Sequence, residues 1–267
     1  MTQRKPITPV NIQQHNSQAW NKAVDQQCQW TQPVSSEIIA AAKQGKWQVS
    51  LTHKPFPTHW LAEVKGLDIL CLASGGGQQA PVLAAAGANV TVFDNSAKQL
   101  AQDQMVADRD GLSLKIIQGD MRDLSQFADA SFDVVFHPIS NLYVPNIRGV
   151  WQEAHRVLRS GGKLLSSFYN ATVFIFDKDP ELQEQGLLRP KYPLPYSCLS
   201  SLSDEERDAK IKAGEPLYFG HSLTDQIGGQ TDVGFLIAGF YEDNFGAKRF
   251  LIEEFLPTYI ATYAIKP

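Results

Sequence analysis

The segment LDILCLASGGGQQAPVLAAAGANVTVFDNS, Leu67 to Ser96, limits the fold more than any other stretch of the chain. It reads as a strand over 67–73, a turn of three glycines, a helix over 78–86 and a second strand over 89–94. Two such strands joined by a helix run parallel, and parallel sheets are covered on both faces. Glycine lets the backbone turn sharply and approach a ligand closely, where a Cβ would intrude. The helix that follows offers free N–H groups and the positive end of its dipole. Asp94 ends the second strand, 19 residues after Gly75, where a carboxylate can accept both hydroxyl protons of an adenosine ribose.

The alternation continues downstream. Strands are predicted over 112–118, 132–137 and 163–168, with helices over 96–108 and 147–158. Ile147, Val150, Trp151, Ala154, Val157 and Leu158 share one face of the last helix, and RSGGK stops it with glycine. Residues 67–170 thus read as an α/β core, a Rossmann-like sheet with helices on both faces. Residues 1–66 lack this rhythm and hold four of the five tryptophans. A helix within 16–29 and another in PVSSEIIAAAKQG make them a helical cap, packed on the core or closing over a ligand. Residues 171–221 form an excursion too long for an ordinary connection, inserted after the fifth strand and read as a substrate lid. It carries a capping box, Ser203 with Glu206. A helix over 222–233, a strand over 235–242 and the closing strand TYIATYAIK complete the core over 222–267.

A net charge of −4 argues against a dedicated polyanion binder, and Arg4 with Lys5 reads as a solvated tail. Cys28, Cys71 and Cys198 have no short spacing, which fits a reducing cytoplasm and neither a disulfide framework nor a metal cluster. His15, His53, His59 and His155 form no metal-ligand spacing. No apolar run reaches membrane-spanning length and the polar start is no signal peptide, so the expectation is a soluble cytoplasmic protein.

The glycine turn alone leaves the cofactor open, because Gly75-Gly76-Gly77-Gln78-Gln79-Ala80 also satisfies the dinucleotide fingerprint. An NAD(P)-dependent oxidoreductase is therefore one reading, although no Tyr-x-x-x-Lys pair accompanies it. The ordered set LCLASGGG, VTVFDNS, GDMRDL, FDVVFHPISNLYV and EAHRVLRSGGKLL resembles the class I S-adenosylmethionine-dependent methyltransferases, closest to their UbiE-like, type 11 branch. The resemblance implies a seven-stranded, mostly parallel sheet whose last strand is antiparallel. It implies that Ala73, Ser74, Gly75, Gly76 and Gly77 line the methionine part of S-adenosylmethionine, and that Asp94 holds the ribose beside Asn95 and Ser96. It further implies that Gly119, Asp120 and Met121 hold the adenine, and that His137, Pro138, Ile139 and Ser140 border the sulfonium. The chain departs from the family at Cys71, where an acid is usual.

DNA and RNA amino-group methylases of this class carry an (Asn/Asp)-Pro-Pro-(Tyr/Phe) turn. Here the stretch is His137-Pro138-Ile139-Ser140, so a small-molecule acceptor is expected and a nucleic acid is not. His137 at the tip of the fourth strand is the first candidate for acceptor chemistry. Asn141, Tyr169 and Asn170 follow strand ends, Tyr196 lies in the excursion and His221 opens the next helix. A protein that binds the cofactor without turnover is the remaining alternative.

Overall fold

A computed structural model describes residues 10–246 and 249–267. The Arg4–Lys5 pair lies outside the described residues. Helices α1 (Ile12–Asp25) and α2 (Ser36–Lys43) come first. The core follows as β1 (Asp68–Leu72), α3 (Gln79–Ala85), β2 (Asn89–Asp94), α4 (Ala97–Asp110), β3 (Leu114–Gln118), β4 (Phe132–His137), α5 (Arg148–Val157) and β5 (Leu158–Tyr169). The excursion holds α6 (Pro180–Glu184), β6 (Tyr196–Ser197), α7 (Asp204–Lys212) and β7 (Phe219–Gly220). A π-helical turn (Thr224–Gly228), α8 (Gly229–Asp232), β8 (Leu236–Asp243) and β9 (Tyr259–Ile265) close the chain.

The seven strands are ordered β3-β2-β1-β4-β5-β9-β8. The pairs from β3 across to β5 are parallel, and β9 runs antiparallel to both β5 and β8. Residue alternation decides which helix covers which face. Ile69 and Cys71 pack with Ile39 of α2, Leu83 of α3 and Val106 of α4. Leu70 and Leu72 point the other way, onto Val150, Trp151 and Val157 of α5. The apolar stripe read on α5 is thus its buried face.

Several boundaries move for local reasons. Helix α1 begins four residues earlier than read because Asn11 accepts from the Gln14 N–H at 3.0 Å, and it ends before Gln27, whose φ is +51°. Strand β5 begins at Leu158, which pairs with Phe132; a register shift absorbs the glycines, and Gly161 takes a positive φ of +77°. The helix read over 222–233 is a π turn and one short α segment. The Ser203–Glu206 capping box forms as read. His155, on α5, packs edge-on against Phe235 at 5.0 Å. Among the described residues no helix is long and apolar enough to cross a membrane.

Candidate active site

The carboxyl ends of the parallel strands open into a cavity of about 460 Å³. Ala73, Ser74 and Gly75 form its floor, with Asp94 and Asn95 on one side and Asp120 and Met121 beside them. Pro138, Ile139 and Ser140 come from the loop after β4. The opposite end is aromatic: Trp20, Trp30, His53, Tyr143, Tyr169 and Tyr259.

Backbone conformation makes the floor. Gly75 and Gly77 have φ of +83° and +73°, and Ala73 holds +47° without being glycine. A Cβ on Gly76 would fall 2.4 Å from the Gln99 carbonyl oxygen, so the turn lies directly against α4. From that helix, fully buried Asp103 accepts the Gly77 N–H at 2.8 Å through one oxygen, while its other oxygen has no partner. Burial raises the Asp103 carboxyl well above its ordinary range. This carboxylic acid escaped the sequence reading; as one polar residue on a helix of mixed composition it carries no motif. Where the family has an acid, Cys71 is wholly buried and its thiol is pushed up by burial.

Asp94 faces the cavity, accepts the Ser96 N–H at 2.7 Å, and is raised to about 6 by burial. Asp120 is gripped by Arg122, whose Nε donates to both carboxylate oxygens at 3.0 Å. The Ser74 hydroxyl and Gln99 Oε1 are buried without partners although both residues line the cavity. These unpartnered atoms, the Asp94 carboxyl and the close glycine approach fit a ligand with several N–H and O–H donors.

Not every residue read from the sequence reaches this space. Gly76, Gly77 and Gly119 shape it from behind; a Cβ on Gly119 would meet the Phe93 ring at 2.1 Å. Ser96 is buried as the cap of α4, accepting from Gln99 N–H and donating to Asn21. His137 turns into the core: its Nδ1 lies 2.8 Å from the Leu72 carbonyl oxygen, its ring meets Trp151 edge-on, and its Nε2 has no partner. Asn141 bonds Gln226, and His221 Nε2 lies 3.2 Å from the Asn141 carbonyl oxygen, both away from the cavity. Tyr196 packs in a cluster of three rings with Phe174 and Tyr218, and Asn170 donates to the Pro257 carbonyl oxygen. Among the described residues none from 171–221 lines the cavity.

Residues of the N-terminal segment, among them Ile12, Gln13, Asn16, Trp20 and Trp30, line the cavity as well. Asn95 Nδ2 donates to the Gln13 carbonyl oxygen, and the Ser17 hydroxyl donates to that of Asn95, each at 2.8 Å. The excursion braces α1 from outside: buried Asn16 donates to the Leu217 carbonyl oxygen and accepts the Leu217 N–H. The tryptophans divide accordingly. Trp60 is core, stacked on Tyr263 at 5.6 Å, whereas Trp20 and Trp30 face the cavity.

Comparison with known proteins gives this geometry its family. The methyltransferase domain family matches residues 70–166. An uncharacterised methyltransferase of Bacillus subtilis, YbaJ, is 50% identical over 94% of this chain and 97% of its own length. The chain belongs to the S-adenosylmethionine-dependent methyltransferases. An S-adenosylmethionine-dependent methyltransferase from Mesorhizobium loti shares the fold at a TM-score of 0.55 and 19% identity, covering 78% of this chain and 94% of that one. The [4+2]-cyclase SpnF superposes over 99% of this chain and 98% of its own at a TM-score of 0.61; at 15% identity this shows the fold alone. The methyltransferase's sheet also departs from the dinucleotide-binding order 3-2-1-4-5-6, because antiparallel β9 is inserted between β5 and β8.

His137 has a role in this methyltransferase that can be measured. Burial lowers its pKa to about 4, so the native protein holds it neutral while the unfolded chain protonates near the ordinary value of 6.5. Its contribution is therefore unfavourable to folding at acid pH: stability falls as pH drops from 6.5 towards 4. His137→Ala is expected to cost about 2–3 kcal/mol at neutral pH through the void and the lost bond, to shrink that acid-side loss, and to leave cofactor affinity within about twofold. Urea melts across this pH range with calorimetry at neutral pH check it; a large fall in affinity with unchanged stability would return His137 to the site.

Proposed function

We propose that the cavity holds S-adenosylmethionine over the β1–α3 turn and a small-molecule acceptor in its aromatic half. The observation that carries this reading is the continuity of one space between the glycine turn with Asp94 and the wall of Trp30, His53, Tyr169 and Tyr259. When bound, the cofactor supplies an electrophilic methyl group on a sulfonium.

The chain's own residues supply position and exclusion of water. Ala73 to Gly77 bring backbone close to the methionine part, Asp94 accepts from the ribose, and Asp120 with Met121 borders the adenine. Asn95 ties that strand tip to α1, which roofs the cofactor end. Alignment of reactants can supply most of the rate, up to about 7–11 kcal/mol. A base is needed only where the acceptor must lose a proton. Because His137, Asn141, Tyr196 and His221 lie outside the lining, acceptor chemistry passes to the groups of the aromatic end.

A roofed cavity of this size suits a small metabolite better than a nucleic acid, and the overall acidity agrees. The free thiols of Cys28, Cys71 and Cys198 fit a reducing cytoplasm. Calorimetric titration with S-adenosylmethionine, S-adenosylhomocysteine and NADH tests the reading. Micromolar binding of the first two and none of NADH is expected; binding of NADH alone would overturn it.

A further inference from the structure

The loop between β8 and β9 brings a guanidinium behind the aromatic wall. Arg249 donates from one Nη to the Tyr259 hydroxyl oxygen at 2.5 Å and to that of Tyr169 at 3.2 Å. Its guanidinium lies 4.4 Å from the Phe245 ring centroid, and its buried Nε has no partner. The nearest carboxylate, Glu253, is 3.8 Å away and already occupied. It accepts the backbone N–H groups of Arg249 and Phe250 and the Thr258 hydroxyl. The positive charge is therefore only partly answered by its own surroundings.

That arrangement fixes what the two phenols can do. Both oxygens accept from Arg249, which directs their hydroxyl protons elsewhere, and they lie 3.5 Å apart. One proton at most is used between the pair, so at least one is free to donate to a ligand in the cavity that both rings line. Burial raises the Tyr259 hydroxyl far above neutrality despite Arg249, so this group donates and does not act as a base. His53, beside Tyr259 on the lining, is lowered by burial and is neutral at pH 7, so it does not compete as a cation. Among the described residues, other charges nearby include Asp243, which accepts the Lys54 N–H, and Lys178, whose ammonium lies over the Phe250 ring.

We propose that Tyr169 and Tyr259, polarised from behind by Arg249, form an oxyanion subsite that selects an acceptor with an acidic hydroxyl on a flat body, a phenol or an enol. Donors preorganised at a desolvated cationic centre favour a negative oxygen over a neutral one. Trp30, His53 and Tyr259 supply planar walls for such a body. Tyr169 ends β5, Tyr259 opens β9 and Arg249 lies in the loop between β8 and β9, all outside the matched segment 70–166. The subsite's place as an acceptor site rests on the methyl-transfer reading of the cavity.

The test uses 4-nitrophenol as probe, read by its visible phenolate band, on the full chain with and without S-adenosylhomocysteine. Bound probe is expected to ionise at lower pH than free probe, by about tenfold or more in favour of the phenolate. Arg249→Met and Tyr259→Phe should each remove most of that shift, and Arg249→Lys should keep part of it, with S-adenosylhomocysteine affinity unchanged in all three. Should Arg249→Met fail to fold, Tyr259→Phe decides, since it removes one oxygen and keeps the ring. Absence of probe binding, ionisation at the pH of free probe, or a shift that survives Tyr259→Phe would each overturn the proposal. Failure of S-adenosylhomocysteine to bind the unaltered protein would sink the cofactor reading instead, and the probe shift is read independently of it.

Discussion

Asp94→Ala is expected to lower affinity for S-adenosylmethionine by about tenfold or more, roughly 1.4 kcal/mol for each factor of ten. The carboxylate ends β2, faces the cavity, and accepts from backbone N–H groups of Asn95 and Ser96 in the turn that follows. Burial raises it to about 6, against the backbone N–H groups that lower it. Ribose hydroxyls donate to the ionised form, so binding favours ionisation. Affinity is therefore full above pH 6 and falls as pH drops through it, approaching tenfold per unit at the limit. Asp94→Asn should flatten that profile. The same linkage has the opposite sign for the cofactor-free protein. A raised carboxyl is a liability once ionised, so stability declines as pH rises from 3.8 to about 6, and Asp94→Asn should be the more stable protein above that range. Calorimetry and melting curves across this range read both effects. Unaltered affinity in Asp94→Ala would remove the residue from the site.

Gly76→Ala is expected to destabilise the fold by about 2–3 kcal/mol and to weaken cofactor binding together with it. The new Cβ would sit 2.4 Å from both the carbonyl oxygen and Oε1 of Gln99, and 2.8 Å from its Cα. Rotating the side chain cannot relieve a clash with helix backbone. The first turn of α4 must move, and with it the Ser96 cap and the Asp103 bond to the Gly77 N–H. Gly149→Ala is the matched control: it lies in α5 with nothing within 4 Å of its added Cβ, where alanine favours the helix by up to about 1 kcal/mol. Equal melting temperatures for the two variants would show that the turn is free to move off α4.

The order of strands and helices and the tip acid Asp94 were legible because they depend on local periodicity and on strand ends, which point the same way in any sheet of this kind. The faces of β1 followed from alternation, as Ile69 and Leu70 show by packing against different helices. His137 illustrates the limit. Its place at the end of β4 was readable, but whether the side chain turned to the cavity or into the core depended on Leu72 and Trp151 from other elements. Tyr196 and His221 went the same way, into contacts with Phe174, Tyr218 and Asn141. Residues 1–66 were read as a cap and 171–221 as a substrate lid; residues from α1 and from 29–53 line the cavity. Length marked the excursion as unusual but could not tell a lid from a brace.

The sequence by itself determined the class of fold, the glycine turn and the carboxylate at the tip of β2, since each is written in spacing along one segment. Only the tertiary structure decided that Asp103 supports the turn, that α1 is tied to the tip of β2 through Asn95, and that Arg249 stands behind Tyr169 and Tyr259. Those contacts join residues 10 to 82 positions apart, and the approach of such groups is set by helix, strand and loop packing rather than by any local pattern.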